Sequence, residues 1–207
     1  DILYRDIAVR HKIRQIESLK ELALFMISNT GKRLSFTSLK KTFGFGSTNT
    51  VIDYVSFFTD SYLFFLLPKF DYSIRKQLIN DKKIYAIDTG MCTVNTASLS
   101  EDKGRLLENM VFLYLRQQCR NLYYFAGKYE CDFVVRRRAD DYLLVQVCSE
   151  LSSDNLDREL NGLFEAMQYV KSQNGLIITT DQSDTFEKNG KQIRVLPYHK
   201  FVLNDML

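Results

Sequence analysis

The cysteines and histidines of this sequence offer little for nucleophilic catalysis or a structural zinc site. Its four cysteines, at 92, 119, 131 and 148, contain no C-x-x-C pair, and its two histidines, His11 and His199, lie far apart. The acids are better placed. Glu108 falls in a helical stretch, Glu130-Cys-Asp132-Phe opens a β stretch, and Gln146-Val-Cys148 lies inside the next one. Side chains alternate along a strand, so Glu130 and Asp132 point to one face of theirs, and Gln146, Cys148 and Glu150 likewise share a face of theirs. If the two strands pair with Asp132 near Gln146, these groups converge on one sheet edge with Glu108 above.

The elements needed to position them are readable from periodicity. Residues 103–120 predict an amphipathic helix, 122–125, 131–136 and 142–148 predict strands, and Leu156 to Val170 predicts a long helix. Gly175 to Thr180 predicts a buried strand, 193–196 another, and a short helix closes the chain. Antiparallel strands followed by strand–helix–strand make a mixed sheet flanked by helices. Upstream, Ile16, Leu19, Leu22, Ala23 and Met26 recur at helical spacing up to Asn29-Thr-Gly31. Ser35 caps a helix through Phe43, and Ser47 or Asn49 caps the next. Tyr62–Pro68 and Lys83–Asp88 then predict two pairing strands. Three helices and a two-stranded wing predict a winged helix-turn-helix. The aromatic residues Phe57, Phe58, Tyr62, Phe64, Phe65, Phe70 and Tyr72 are read as the core of this smaller half.

Charge separates the same two parts. Residues 1–80 carry 12 basic and 7 acidic side chains, and residues 81–207 carry 16 and 18, which sum to the net +3. The expected architecture is α/β, α+β overall: a winged helix over 1–80, its wing reaching to 88, then an α/β domain over 81–207. No apolar run is long enough to span a bilayer and no signal peptide is evident, so the expected setting is cytoplasmic, with reduced thiols and no membrane partner. The start at Asp1 reads as a fragment whose missing part is N-terminal.

The layout of Glu108, Asp132 and Gln146-Val-Cys148 resembles the restriction-endonuclease-like, PD-(D/E)XK, superfamily. More of the text is similar to the C-terminal region of a prokaryotic AAA-type ATPase family. The matching pieces are Lys83-Ile-Tyr-Ala-Ile-Asp-Thr-Gly90, Gly104-Arg-Leu-Leu-Glu-Asn-Met-Val-Phe112, Tyr123-Tyr-Phe125 and Glu130-Cys-Asp-Phe133. The resemblance implies a winged helix followed by a nuclease-like domain, with an ATPase module as the N-terminal partner. It also implies Glu108, Asp132, Gln146 and Cys148 as site positions. Such a site would hold Mg²⁺ on Asp132 and Glu108, with Glu150 or Glu130 as a displaced acid.

The departure from that pattern is informative. The family strand reads Glu-Val-Lys where this chain reads Gln146-Val-Cys148. One acid and the cation are gone, and losing one transition-state contact costs about 3 kcal/mol. The expectation is therefore a non-catalytic chain with no bound cofactor, or Mg²⁺ only if the site is active. The expected role is a DNA-binding or regulatory region of an ATPase. The alternatives are a Mg²⁺-dependent DNA nuclease with a migrated acid, and a pure protein-interaction module. DNA contact is expected through Ser47, Thr48, Asn49 and Thr50 at the helix start and through Lys40, Lys41 and Lys69. The recognition helix itself carries Asp53 and Asp60 and no Lys or Arg. No Walker motif occurs in the chain, and Gly44-Phe-Gly46-Ser47 lacks the G-K-[ST] of a phosphate loop.

Overall fold

Ser35 and Ser47 start two helices in the same way. In the computed structural model, which describes residues 3–13, 15–93 and 99–203, both take extended backbone conformations. Each hydroxyl accepts a bond from the backbone N–H three residues on, Ser38 at 3.4 Å and Thr50 at 3.1 Å, so each acts as an N-cap. These caps open α2 (Phe36–Phe43) and α3 (Thr48–Asp60), which follow a helical segment of π type (Leu3–Val9), α1 (Ile16–Ser28) and β1 (Arg33–Leu34). Gly44 ends α2 in the left-handed region, at φ 65°, where a glycine carries no Cβ penalty. After α3, β2 (Phe64–Leu67) leads into the segment Pro68–Asn80, which contains α4 (Ile74–Ile79). The chain then returns as β3 (Lys82–Ala86) and α5 (Thr89–Thr93).

These elements, without Pro68–Asn80, form the first of two units, which comprises Asp1–Leu67 and Asp81–Ala97. Its sheet has the order β1-β3-β2, antiparallel throughout, with Phe65 opposite Tyr85. Leu19, Leu22 and Met26 of α1, Val51 and Phe58 of α3, Phe64 and Ile84 are all fully buried and make its core. The Asp88-Thr-Gly90 sequence has a local structural role here. Asp88 Oδ1 accepts from the Gly90 N–H at 2.7 Å and turns the chain into α5.

The second unit comprises Pro68–Asn80 and Ser98–Leu207. It contains α6 (Leu99–Gln118), β4 (Leu122–Ala126), β5 (Glu130–Arg138), β6 (Asp141–Val147), α7 (Leu156–Val170), β7 (Asn174–Thr179), β8 (Asp184–Lys188), β9 (Lys191–Pro197) and α8 (Tyr198–Leu203). Its six-stranded sheet runs β4-β5-β6-β7-β9-β8. Pairing is antiparallel from β4 to β6, parallel from β6 through β7 to β9, and antiparallel again at β8. The fold is therefore α+β with a mixed sheet. One face meets α7, where Val134, Leu144 and Ile177 pack with Leu163, Ala166 and Met167. Strand alternation sends Phe133 to the other face, against Phe112 of α6.

The division of the chain differs from the expected 1–80, with a wing reaching to 88, and 81–207. The structure cuts at 67/68, 80/81 and 97/98. β3 belongs with the first unit because its backbone groups are bonded to β1 and β2 on both sides. Pro68–Asn80 belongs with the second because Phe70 is buried there, and its N–H donates to the Tyr124 carbonyl at 2.7 Å. Phe70 and Tyr72 are accordingly not core of the smaller half, and Tyr62, 70% exposed, is core of neither unit. The elements α5, β1 and β8 carry too few apolar residues to stand out by periodicity, and α4, six residues with Ile74, Leu78 and Ile79, is too short to show one. No helix among the described residues is long and apolar enough to cross a membrane.

Candidate functional site

The register of β5 on β6 pairs Phe133 with Val145. Continued by one residue, it sets Asp132 opposite Gln146, and both side chains turn to the α7 side. Their bonds are reciprocal. Asp132 Oδ2 accepts from the Val147 N–H at 3.0 Å, and Gln146 Oε1 accepts from the Asp132 N–H at 3.2 Å. The Gln146 amide also donates from Nε2 to Glu159 Oε2 at 2.7 Å. Glu159 Oε1 accepts from Arg158, from Nε at 3.0 Å and from Nη2 at 2.5 Å. Asp132, Gln146 and Glu159 are only 6%, 7% and 3% exposed. Buried polar groups of this kind are costly unless bonded, and here each one is bonded.

These residues line a cleft of about 420 Å³ at the end of the sheet, together with Glu108 of α6 and Glu130. Two features of α7 hold it against this edge. Gly162 lies so close to β5 that a Cβ there would stand 2.1 Å from the Glu130 carbonyl oxygen. Glu165 accepts from the backbone N–H groups of Lys128 at 2.9 Å and Tyr129 at 2.7 Å, which fixes the turn leading into β5.

Glu108, Asp132 and Gln146 are thus brought to one cleft. Cys148 and Glu150 do not line it. Cys148 lies beyond the end of β6 and points into the apolar cluster with Leu163 and Ala166. Burial pushes its thiol up to about 12, and the nearby Glu159 and Asp132 carboxylates push the same way against Arg158. Glu150 is exposed past the strand end, where alternation no longer governs direction, and its carbonyl accepts from Asn155 Nδ2 at 2.8 Å. Among the described residues, no three His, Cys, Asp or Glu side chains are grouped closely enough to hold a metal ion.

Glu159 and Arg158 were missed by the sequence reading, although a signal for Glu159 was present. It occupies the same stripe of α7 as Leu163, Ala166 and Val170, where an acid is unexpected. Its arrival at the cleft supplies a carboxylate from a helix where strand β6 carries an amide. An acid at 146 would face Glu159 directly, and the pair would call for a proton or a cation. The amide bonds to both neighbours and removes that demand.

In the first unit, Ser47 and Thr50 are joined hydroxyl to hydroxyl at 3.0 Å as part of the α3 cap, and Asn49 is exposed beside the half-buried Thr48. Lys40 and Lys41 sit in the last turn of α2, where cations also offset the helix dipole. Lys69 belongs to the second unit, bridged to Tyr124 at the outer edge of β4. Arg138 and Asp141 close the β5–β6 hairpin as a cross-strand pair.

Residues 1–102 match a family described as domain of unknown function (DUF8612), and residues 103–201 match one described as domain of unknown function (DUF4143). The uncharacterized protein MJ1544 of Methanocaldococcus jannaschii is 36% identical over 217 residues, covering 98% of this chain and 48% of the relative. An uncharacterized protein of Haemophilus influenzae is 27% identical over 167 residues, covering 75% of this chain and 41% of the relative. A half-complex of Thermococcus gammatolerans McrB AAA+ hexamers with bound McrC superposes with a TM-score of 0.37 at 10% identity, over 89% of this chain and 52% of that one. The chain thus spans about half the length of the curated relatives it matches.

Proposed function

We propose that this chain is a non-catalytic DNA-binding or regulatory region of a prokaryotic AAA-type ATPase, whose α+β unit is a disarmed nuclease-like scaffold. The carrying observation is the amide of Gln146 between Asp132 and Glu159. The cleft keeps Glu108 and Asp132, but the position facing Glu159 is neutral. The thiol of Cys148, where the resembling family carries a lysine, is buried in the core. The order of three helices and an antiparallel wing in the first unit supports a winged-helix reading. The capped start of α3 and Lys40 and Lys41 of α2 are then the DNA-facing groups. Its partner in this reading is an N-terminal ATPase module of the same parent protein.

Supercoiled plasmid incubated with the protein and Mg²⁺ or Mn²⁺ tests the loss of catalysis. No nicking is expected from the natural chain. Nicking by the natural chain that disappears in Asp132→Ala would establish an active nuclease and overturn the proposal. Duplex DNA binding is expected to weaken with added salt and with Lys40→Ala, Lys41→Ala. Binding indifferent to both would favour a protein-docking module.

A further inference from the structure

The β8–β9 hairpin turns through Lys188-Asn-Gly-Lys191. Asn189 and Gly190 both take positive φ, 54° and 72°, as the tight turn between right-twisted strands requires. That turn sets Lys188 directly opposite Lys191 in the ladder. Like charges facing each other across an antiparallel pair are destabilising. A third ammonium, that of Lys128 in the β4–β5 turn, joins them around a cleft of about 340 Å³ on the outer side of α7.

Three lysines line this cleft against one acid. Among the described residues none of them makes an ion pair. Glu165, the one acid lining the cleft, has both oxygens engaged by the backbone N–H groups of Lys128 and Tyr129. The ammonium groups lie over aromatic rings instead: Lys128 Nζ is 5.3 Å from the centre of Tyr129 and Lys188 Nζ is 5.7 Å from that of Phe164. The side chain of Asn161 completes one wall with a hydrogen-bonding amide.

We infer that this cleft binds a nucleotide, its phosphate held by Lys128, Lys188 and Lys191 and its base set against Tyr129 or Phe164. Lysines on the phosphate and aromatic rings under the base are the shared chemistry of single-strand and free-nucleotide recognition. The site lies wholly in the second unit and does not rest on DNA contact by the first.

The test is a titration of the full ¹⁵N-labelled chain, followed by NMR, with a short oligothymidylate and separately with AMP. Saturable shifts of the Lys128, Asn189 and Gly190 amides are expected, lost in Lys188→Ala, Lys191→Ala. The melting temperature of the variant should be unchanged or raised, because a repulsion is relieved, which separates lost binding from lost fold. A response to the oligonucleotide alone identifies a strand as the source, and an equal response to AMP identifies a free nucleotide. Absence of shifts at these amides with both probes overturns the inference, as does their persistence in the double variant. Shifts confined to residues 47–50 would overturn it while leaving DNA contact by the first unit standing.

Discussion

The side-chain amide of Gln146 donates to Glu159 at 2.7 Å while its carbonyl oxygen accepts from the Asp132 backbone N–H at 3.2 Å. One neutral side chain therefore satisfies a strand backbone group and a helix carboxylate in a nearly solvent-free place. The bond ties α7 to the β5–β6 pair and makes the cleft self-sufficient in hydrogen bonds.

Replacing that amide by a hydrocarbon should be costly. In Gln146→Leu the Asp132 N–H loses its acceptor and Glu159 keeps only Arg158, a loss of about 3 kcal/mol for buried groups left unsatisfied. A fall in the urea midpoint at constant slope would register it. A midpoint within error of the natural chain would mean that water already serves these groups.

Gln146→Glu should instead make stability depend on pH. A second carboxylate against Glu159 favours the protonated form, so its folded pKa rises above its unfolded value. The stability it contributes is complete below that unfolded value and is lost as pH rises through the folded one. The variant should melt closer to the natural chain at pH 5 than at pH 8, and a divalent cation should narrow the gap at pH 8. Parallel melting profiles at the two pH values would show that the two carboxylates do not meet.

Cys148 predicts an alkaline effect of known sign. Its thiol titrates at about 12 in the folded chain against an ordinary value of 9.0. The unfolded chain therefore releases this proton first, and the stability held by the neutral thiol declines as pH rises from about 9 to 12. Tyr142 and Tyr169, also raised by burial, act in the same direction, so the informative quantity is the difference from Cys148→Ala. The substitution should flatten the alkaline decline. In native conditions near neutral pH, Cys148 should also resist thiol reagents, and rapid labelling would contradict its burial.

Gly162→Ala tests the seating of α7. The new methyl would stand 2.1 Å from a backbone carbonyl that cannot rotate away, so the helix must lift from β5. Overpacking of this kind costs about 3 kcal/mol. The amide resonances of Glu130, Gln146 and Glu159 should move together. A stable variant with unchanged spectra would show the contact to be looser.

Phe70→Ala tests the assignment of Pro68–Asn80 to the second unit. Phe70 is 4% exposed, with ring centroids 5.5 Å from both Tyr123 and Tyr142. Its truncation should destabilise the second unit by about 4 kcal/mol. Hydrogen exchange should accelerate at the Tyr124 amide, which donates to Pro68 at 3.1 Å. Acceleration only in β2 and β3 would place the segment with the first unit.

Caps and alternation carried much of this structure into the text of the chain. Ser35 and Ser47 mark their helices because a serine hydroxyl satisfies a backbone donor within its own turn, a local interaction that needs no partner elsewhere. The shared face of Asp132 and Gln146 was legible in part, because the period of two sets the face once the register is known. The register itself was not: the hairpin through Ala139 and Asp140 pairs Arg138 with Asp141, and a shift between Arg136 and Arg138 then brings Asp132 opposite Gln146. Asn189-Gly190 was an equally local signal for β8 and β9, passed over because β8 itself is polar. Glu159, Arg158 and the burial of Cys148 were another matter. They depend on how α7 is rotated and how closely it sits on the sheet, which Gly162 and Glu165 decide through contacts with residues far away in the chain. The home of Pro68–Asn80 was hidden likewise, since an aromatic residue such as Phe70 announces that it will be buried but not in which core. Local bonding and periodicity fix elements and faces; packing between distant segments chooses which faces meet, and here it put a carboxylate beside an amide and a thiol out of reach.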